Sequence, residues 1–214
     1  MPDTLHWETV TPPLKALLMQ LMENNLFLPF HLVGGTALSL QLGHRISVDI
    51  DLFTDAPYDT INFDEIDCYL RRHFVYVSTP LSIPLGMGRS YFIGATEAAA
   101  VKLDLYYTDP FIYPEMVVDH IRMAALEDII AMKIDLIQRG GRKKDFWDLH
   151  EIMEQYTVQK MIGIHRQRYF YNHNTAQIRA NLKDFTMADD DFEPICLRGK
   201  HWEIIKLEII KSLL

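Results

Sequence analysis

Between Ile46 and Phe53 the residues alternate without a break: Ile46, Val48, Ile50 and Leu52 fall on one side, and Ser47, Asp49, Asp51 and Phe53 on the other. A period of two is the mark of an extended strand whose faces meet different surroundings. This segment therefore predicts a strand with an apolar face and a face bearing two carboxylates. At two residues apart on one face, those carboxylates stand roughly 7 Å from each other at Cα, close enough to share metal ions. Spacing alone is a poor filter, because 29 acidic residues in 214 give about four such pairs by chance. The neighbourhood has to decide.

That neighbourhood is informative. Phe30 to Val33 is a short apolar run that stops at Gly34 and Gly35, as a buried strand entering a tight turn does, and Thr36 to Leu42 suits a short helix. A strand ending in Gly34-Gly35-Thr36 at a helix start offers unpaired backbone N–H groups and a hydroxyl to an anion. About a dozen residues later comes the aspartate strand, so a phosphate cradle and a metal site are predicted as neighbours.

Upstream, Thr11, Pro12 and Pro13 precede an amphipathic stretch from Leu14 to Leu28, with threonine as cap and proline in the first turn. Downstream, Asp64 to His73 reads as a helix, and Phe74 to Val77 and Ser90 to Ile93 as strands. Pro80, Pro84, Gly86 and Gly88 mark the loop between them. Ala100 to Tyr107 alternates again, which puts Lys102, Asp104 and Tyr106 on one face and adds a third acidic residue. After Pro114 the spacing turns helical: Leu126, Ile129, Ile130, Ile134 and Ile137 lead to a stop at Gly140-Gly141. A second helix is expected from Lys143 to Tyr156. The remainder reads as helical up to an amphipathic end from Trp202 to Leu214, with Ala188 to Pro194 as an acidic loop.

Length allows one to two domains at about 150 residues each. With 49% apolar and 23% charged residues, the composition is that of a soluble globular chain. No signal peptide or membrane span is visible, and Cys68 and Cys196 stand far apart with no second thiol near either. A cytoplasmic protein with no membrane partner is expected. The net charge of -8 argues against coating nucleic acid with the whole surface. That charge is uneven: residues 1–120 carry 6 basic and 15 acidic residues, residues 121–214 carry 15 and 14. A domain break near His120 matches the step, with a core over 1–120 and a helical domain over 121–214.

The segment His31 to Thr54, HLVGGTALSLQLGHRISVDIDLFT, resembles the first motif of the nucleotidyltransferase superfamily with the DNA polymerase beta fold. More narrowly, it is similar to the AbiEii/AbiGii toxin family, which joins a Gly-Gly-Ser/Thr turn to a Gly-His-Arg and Asp-x-Asp-Leu-Phe strand. That family then carries a later Lys and a Lys-Asp-Phe-x-Asp-Leu helix, matched here by LEDIIAMKIDLIQRGGRKKDFWDLHEI, Leu126 to Ile152. The two motifs in order are more specific than either alone, and the resemblance covers about residues 10–155.

The resemblance implies an α/β fold, a mixed sheet with helices, followed by a helical C-terminal region that completes a nucleotide cleft. It implies that Asp49 and Asp51 hold Mg2+ or Mn2+ on a nucleoside triphosphate, with Asp104 as the third carboxylate, orienting or deprotonating an acceptor hydroxyl. Gly34, Gly35 and Thr36 would bind phosphates, with Gly35 and Thr36 on the β- and γ-phosphates. Lys133 would neutralise the triphosphate. Asp145 and Asp148, at i and i+3, would complete the site by fixing Lys133 or by contacting the base or acceptor. His44 and Arg45 would touch phosphate, and Arg142, Lys143 and Lys144 would form a basic edge suited to RNA. The implied reaction is transfer of a nucleoside monophosphate to an acceptor hydroxyl on RNA, for example tRNA, or on protein. The implied setting is a toxin of a type IV toxin–antitoxin or phage-defence pair, with the antitoxin encoded separately.

Plainer readings stand beside these. A solvated strand face would explain Asp49 and Asp51, a simple turn would explain Gly34-Gly35, and an exposed polar face would explain Asp104 next to Lys102. A salt bridge from Lys133 to Asp148 is as good an account as a phosphate contact. Trp147 with Phe146, Leu149, Ile152 and Met153 has core spacing, and His165, His173 and His201 lack zinc-ligand spacing. The alternative function is a non-catalytic nucleotide-binding or interaction module of the same fold. Hydrolysis at the γ-phosphate on the same cradle is a third.

Overall fold

The computed structural model describes residues 4–79 and 87–214. Pro80, Pro84 and Gly86, read above as loop markers, lie outside them.

Helix α1 spans Pro12–Glu23, with Thr11 capping it: the Thr11 hydroxyl accepts from the Leu14 N–H at 3.4 Å, and proline fills the first turn. It buries Leu14, Leu17, Leu18, Leu21 and Met22. The helix stops short of the predicted Leu28, because the Asn24 side chain accepts from the Leu26 N–H at 2.9 Å and turns the chain into a tight 3-10 turn. Strand β1 is only His31–Leu32, and α2 follows at once as Gly34–Leu42. Strand β2 is Asp49–Thr54, alternating half-buried and buried as its sequence dictates. Helix α3 is Phe63–His73, β3 is Tyr76–Val77, β4 is Gly88–Gly94 and β5 is Val101–Tyr107.

The hairpin that follows has no counterpart in the sequence reading: β6, Met116–Val118, turns through Asp119 and His120 with positive φ into β7, Ile121–Met123. Strands of three residues are too short to display a period. Among the described residues these strands form one seven-stranded sheet, in the order β3-β4-β5-β2-β1-β7-β6. β2 lies parallel to β5 and antiparallel to β1, while β1 is parallel to β7. The sheet is therefore mixed, and it takes its β7 strand from beyond His120.

The helices α4, Leu126–Gln138, α5, Lys143–Ile152, and α6, Val158–Arg168, come next. They are followed by α7, Thr175–Asn181, the short α8, Thr186–Asp189, and α9, Trp202–Lys211. The Ala188–Pro194 stretch expected as a loop is partly helical: α8 ends there, and Asp189 accepts from Trp202 Nε1 at 2.6 Å and pairs with Lys206 at 2.9 Å. Trp147 is fully buried and stacks on Trp202 with ring centroids 6.4 Å apart, so it is core. No helix among the described residues is long and apolar enough to cross a membrane.

Candidate active site

The register of β2 against β5 sets the site. Asp51 pairs with Asp104, and Asp49 pairs with Lys102, so three carboxylates and one ammonium share a sheet face. Asp104 Oδ2 lies 2.5 Å from Lys102 Nζ, whereas Asp104 Oδ1 is buried with no hydrogen-bond partner. Lys144 Nζ approaches Asp49 Oδ2 at 3.7 Å. Burial raises the Asp51 carboxyl, Asp104 and then Asp49 raise it further, and its pKa reaches about 6. Lys102 and Lys144 thus leave negative charge on this face uncancelled.

Gly34 is placed against that face. Its φ of +67° is a left-handed conformation that favours glycine, and a Cβ there would sit 2.5 Å from Asp51 Oδ2. A Cβ on Gly35 would strike the Arg45 guanidinium. The start of α2 can approach the aspartates only because both residues lack side chains. Its first N–H groups, on Gly34, Gly35 and Thr36, have no carbonyl within the helix to reach. They are available to an anion beside the carboxylates.

Thr36 differs from the expectation. The residue is 1% exposed, and its hydroxyl is hydrogen-bonded to Ser47 Oγ at 2.8 Å and to the Asp49 carbonyl oxygen, so it ties α2 to the start of β2. His44 and Arg45 differ as well. Both are buried, and both are committed to Asp148: His44 Nε2 lies 2.8 Å from Asp148 Oδ1, Arg45 Nε donates to Oδ1 at 2.6 Å and Nη2 to Oδ2 at 2.9 Å. Those bonds occupy His44 Nε2 and Arg45 Nε and Nη2, and Arg45 Nη1 donates to the Ile46 carbonyl at 3.0 Å.

Lys133 completes this second cluster, with Nζ 2.8 Å from Asp145 Oδ1 and 2.7 Å from Asp148 Oδ2. Of the two readings weighed for Lys133, the salt bridge is present, and Lys133 also lines the cleft beside Asp51. Burial works against its ammonium, but the two carboxylates outweigh burial and raise its pKa. Burial likewise pushes Asp148 up, yet Arg45 and Lys133 beside it hold it well below the usual carboxylate range. Asp145 is lowered in the same way by Lys133, and it accepts from the Arg142 backbone N–H at 3.0 Å to close the first turn of α5. The basic edge is only partly an edge: Lys143 is buried and donates to the Asp189 carbonyl at 3.2 Å, while Arg142 is open.

A cleft of about 710 Å³ is lined by one residue of each cluster, Asp51 and Lys133. Gly34, Asp51 and Phe53 line it from the sheet side, Met132, Lys133 and Leu136 from α4, and Tyr169 and Tyr171 from the turn after α6. This volume suits a nucleotide-sized ligand. The sequence reading did not single out the tyrosine wall, or Lys102 as a partner of Asp104. An aromatic run at 169–171 and the shared alternation of 102 and 104 were the available signals.

A divalent cation is a fair test of this face. Among the described residues no three acidic, histidine or cysteine side chains converge as they stand on one ion position. The donor set nevertheless suits a hard cation, being carboxylate oxygens on adjacent strands, with one buried oxygen unpartnered and one carboxyl raised by burial and then by its acidic neighbours.

A parallel β2–β5 pair carrying the three carboxylates, a glycine turn against them and a helical wall define a nucleotidyltransferase fold. The solved structures agree. A candidate nucleotidyltransferase from Helicobacter pylori superposes with a TM-score of 0.55 at 20% identity, covering 92% of this chain and 91% of that one. MenT4, the nucleotidyltransferase toxin Rv2826c from Mycobacterium tuberculosis H37Rv, superposes with 0.56 at 14% identity, covering 86% and 75%. Within that fold the chain belongs to the family described as nucleotidyl transferase AbiEii toxin, type IV TA system, whose model matches residues 16–209. A protein of Aquifex aeolicus, aq_aa25, is 35% identical over 133 residues, and the matched stretch spans 59% of either chain.

Proposed function

We propose that the protein is a metal-dependent nucleotidyltransferase that moves a nucleoside monophosphate from a nucleoside triphosphate to an acceptor hydroxyl on RNA or protein, and that it is the toxin of a toxin–antitoxin pair. The observation that carries this reading is the register of Asp51 against Asp104, two residues from Asp49, with Gly34 packed on Asp51. In the reaction the acceptor oxygen bonds to the α-phosphorus, the bond from that phosphorus to the bridging oxygen breaks, and pyrophosphate leaves. Asp49, Asp51 and Asp104 are the residues to hold Mg2+ or Mn2+, which supplies charge neutralisation for the triphosphate and the transition state. Gly34 and Gly35 N–H groups hold phosphate oxygens at the start of α2. Asp104, the third carboxylate of that face, orients the acceptor hydroxyl, whose proton passes to water as its oxygen bonds to phosphorus. Lys133 places positive charge at the cleft wall, while Asp145 and Asp148 fix its position.

The test is incubation with Mg2+ or Mn2+, each α-labelled nucleoside triphosphate in turn, and bacterial RNA and protein, with an Asp49→Ala/Asp51→Ala double variant as the blank. Label transferred to a macromolecule with stoichiometric pyrophosphate, and absent from the blank, is the expected result. Mutant-sensitive nucleotide binding without transfer would establish a binding module instead. Release of inorganic phosphate would move the chemistry to the γ-phosphorus.

A further inference from the structure

The turn between α6 and α7, Arg168-Tyr169-Phe170-Tyr171-Asn172, places two large rings in solvent at the mouth of the cleft. Phe170 is 78% and Tyr171 62% exposed. Exposed aromatics on a turn are ordinarily mobile, but this turn is tied down. Tyr171 donates its hydroxyl to Asp109 Oδ2 at 2.8 Å, Gln138 Nε2 donates to the Asn172 carbonyl at 2.8 Å, and the Asn174 N–H donates to Gln138 Oε1 at 2.9 Å. Beneath it, Arg168 forms a fully buried pair with Asp128 at 2.7 Å. Phe170 and Tyr171 stand 5.7 Å apart at 88°, an edge-to-face arrangement. An edge-to-face contact covers one face of one ring, and Tyr171 makes a second such contact with Tyr169 at 6.4 Å, so the more exposed Phe170 is the ring that chiefly keeps a face open for a third.

Two cations share the cleft lining with Tyr171, alongside the carboxylates Asp109 and Asp135. Arg139 and Arg142 both line the cleft, with side chains 63% and 60% exposed. Arg139 is held to the turn through one carboxylate: its Nη2 lies 2.5 Å from Asp135 Oδ2, while Asn172 Nδ2 donates to Asp135 Oδ1 at 3.1 Å. Fixed aromatic faces beside guanidinium groups are the elements that bind single-stranded nucleic acid: every base has a face to stack, and its backbone carries the charge the arginines meet.

We propose that Phe170 and Tyr171, with Arg139 and Arg142, form a platform on which the bases of a single-stranded RNA acceptor stack as its end enters the cleft. This rests on the nucleotidyltransferase reading for what the cleft does, and it selects RNA over protein as the acceptor. Tyr171 lines the cleft and Phe170 lies outside its lining, so the platform runs from solvent inward. A duplex keeps its bases stacked on one another and cannot use it.

The experiment is fluorescence anisotropy with a short labelled single-stranded RNA and with the same sequence as a duplex, on the full chain and on Phe170→Ala and Tyr171→Phe. Nucleotide affinity in Mn2+ is measured alongside. The single strand is expected to bind about tenfold or more tightly than the duplex, and Phe170→Ala to weaken it about tenfold. Tyr171→Phe, which keeps the ring but loses the bond to Asp109, is expected to weaken the single strand less than Phe170→Ala does, and nucleotide affinity to be the same in the parent and in Phe170→Ala, whose ring lies outside the cleft lining. Equal binding of single strand and duplex, or parental single-strand binding by Phe170→Ala, overturns the platform. So does label transfer to protein that survives ribonuclease. If Phe170→Ala loses RNA while the parent transfers no label, the platform stands and the reaction falls. If label reaches RNA while Phe170→Ala binds it normally, the reaction stands and the platform falls.

Discussion

Two clusters of aspartates lie on either side of one cleft and behave in opposite ways. On the sheet, Asp51 has its carboxyl pushed up to about 6, by burial and by Asp104 and Asp49. Between the helices, Asp148 is held far below its ordinary value by Arg45 and Lys133, although it is the more buried of the two. Burial alone does not decide the state of a carboxylate; the count of cations within reach does. The sheet cluster has more negative charge than its lysines cancel, and under the proposed function that excess is what a divalent cation would neutralise. The helical cluster is closed on itself, with Asp148 Oδ1 shared between His44 and Arg45 and Oδ2 between Arg45 and Lys133, and it fastens α5 to α4 and to the segment after α2.

The sharpest way to break the comparison is to neutralise one member of each cluster. Asp51→Asn is expected to lower label transfer on the order of 10³-fold, with the folded state retained, as read by α-labelled nucleotide assay and circular dichroism. Asp148→Ala is expected to lower stability by about 3–5 kcal/mol in urea unfolding, because it leaves Arg45 and Lys133 buried without their shared partner. If Asp51→Asn unfolds the chain and Asp148→Ala does not, the roles assigned to the two clusters are reversed.

The pH dependence sharpens the same contrast. A carboxyl whose pKa is higher folded than unfolded binds extra protons when folded, so its ionisation destabilises the fold. The metal-free protein should therefore lose stability, relative to Asp51→Asn, as pH rises from about 4 to about 6, by on the order of 2 kcal/mol. The lowered Asp145 and Asp148 act in the other sense, contributing stability above the ordinary carboxylate range that is lost as pH falls below it. Urea midpoints across that range, on both chains, give the difference directly. The smallest effect belongs to Thr36. Thr36→Val leaves the Asp49 carbonyl and Ser47 hydroxyl without that partner and should cost about 1–2 kcal/mol, whereas Thr36→Ser should cost less; a phosphate-binding hydroxyl would instead show up as weaker nucleotide affinity at unchanged stability.

The sheet cluster was the more legible in the sequence. Alternation in β2 and β5 placed Asp49, Asp51 and Asp104 on strand faces, and Gly34-Gly35 marked the turn, because each of these signals is local. The helical cluster was legible only in part: the i, i+3 spacing of Asp145 and Asp148 was visible, and so was a Lys133 salt bridge. That His44 and Arg45, over a hundred residues away, end on Asp148 was not, since nothing local distinguishes an arginine aimed at phosphate from one buried on a carboxylate. The β6–β7 hairpin escaped for a different reason, being too short to show a period.

The segment His44–Ser47, which leads from the glycine turn to the aspartates, is held on one side by a late part of the chain: Ile46 N–H donates to the Ile195 carbonyl at 2.9 Å and Leu197 N–H to the His44 carbonyl at 2.9 Å, with Arg45 bridging Cys196. On the ribosome, the residues proposed to hold metal and phosphate are made first, yet this clasp cannot close until residue 197 has left the exit tunnel. A chain still under synthesis holds the parts of the site without their fastening, so the order of translation itself delays assembly of the cleft beside the very machinery that produces it.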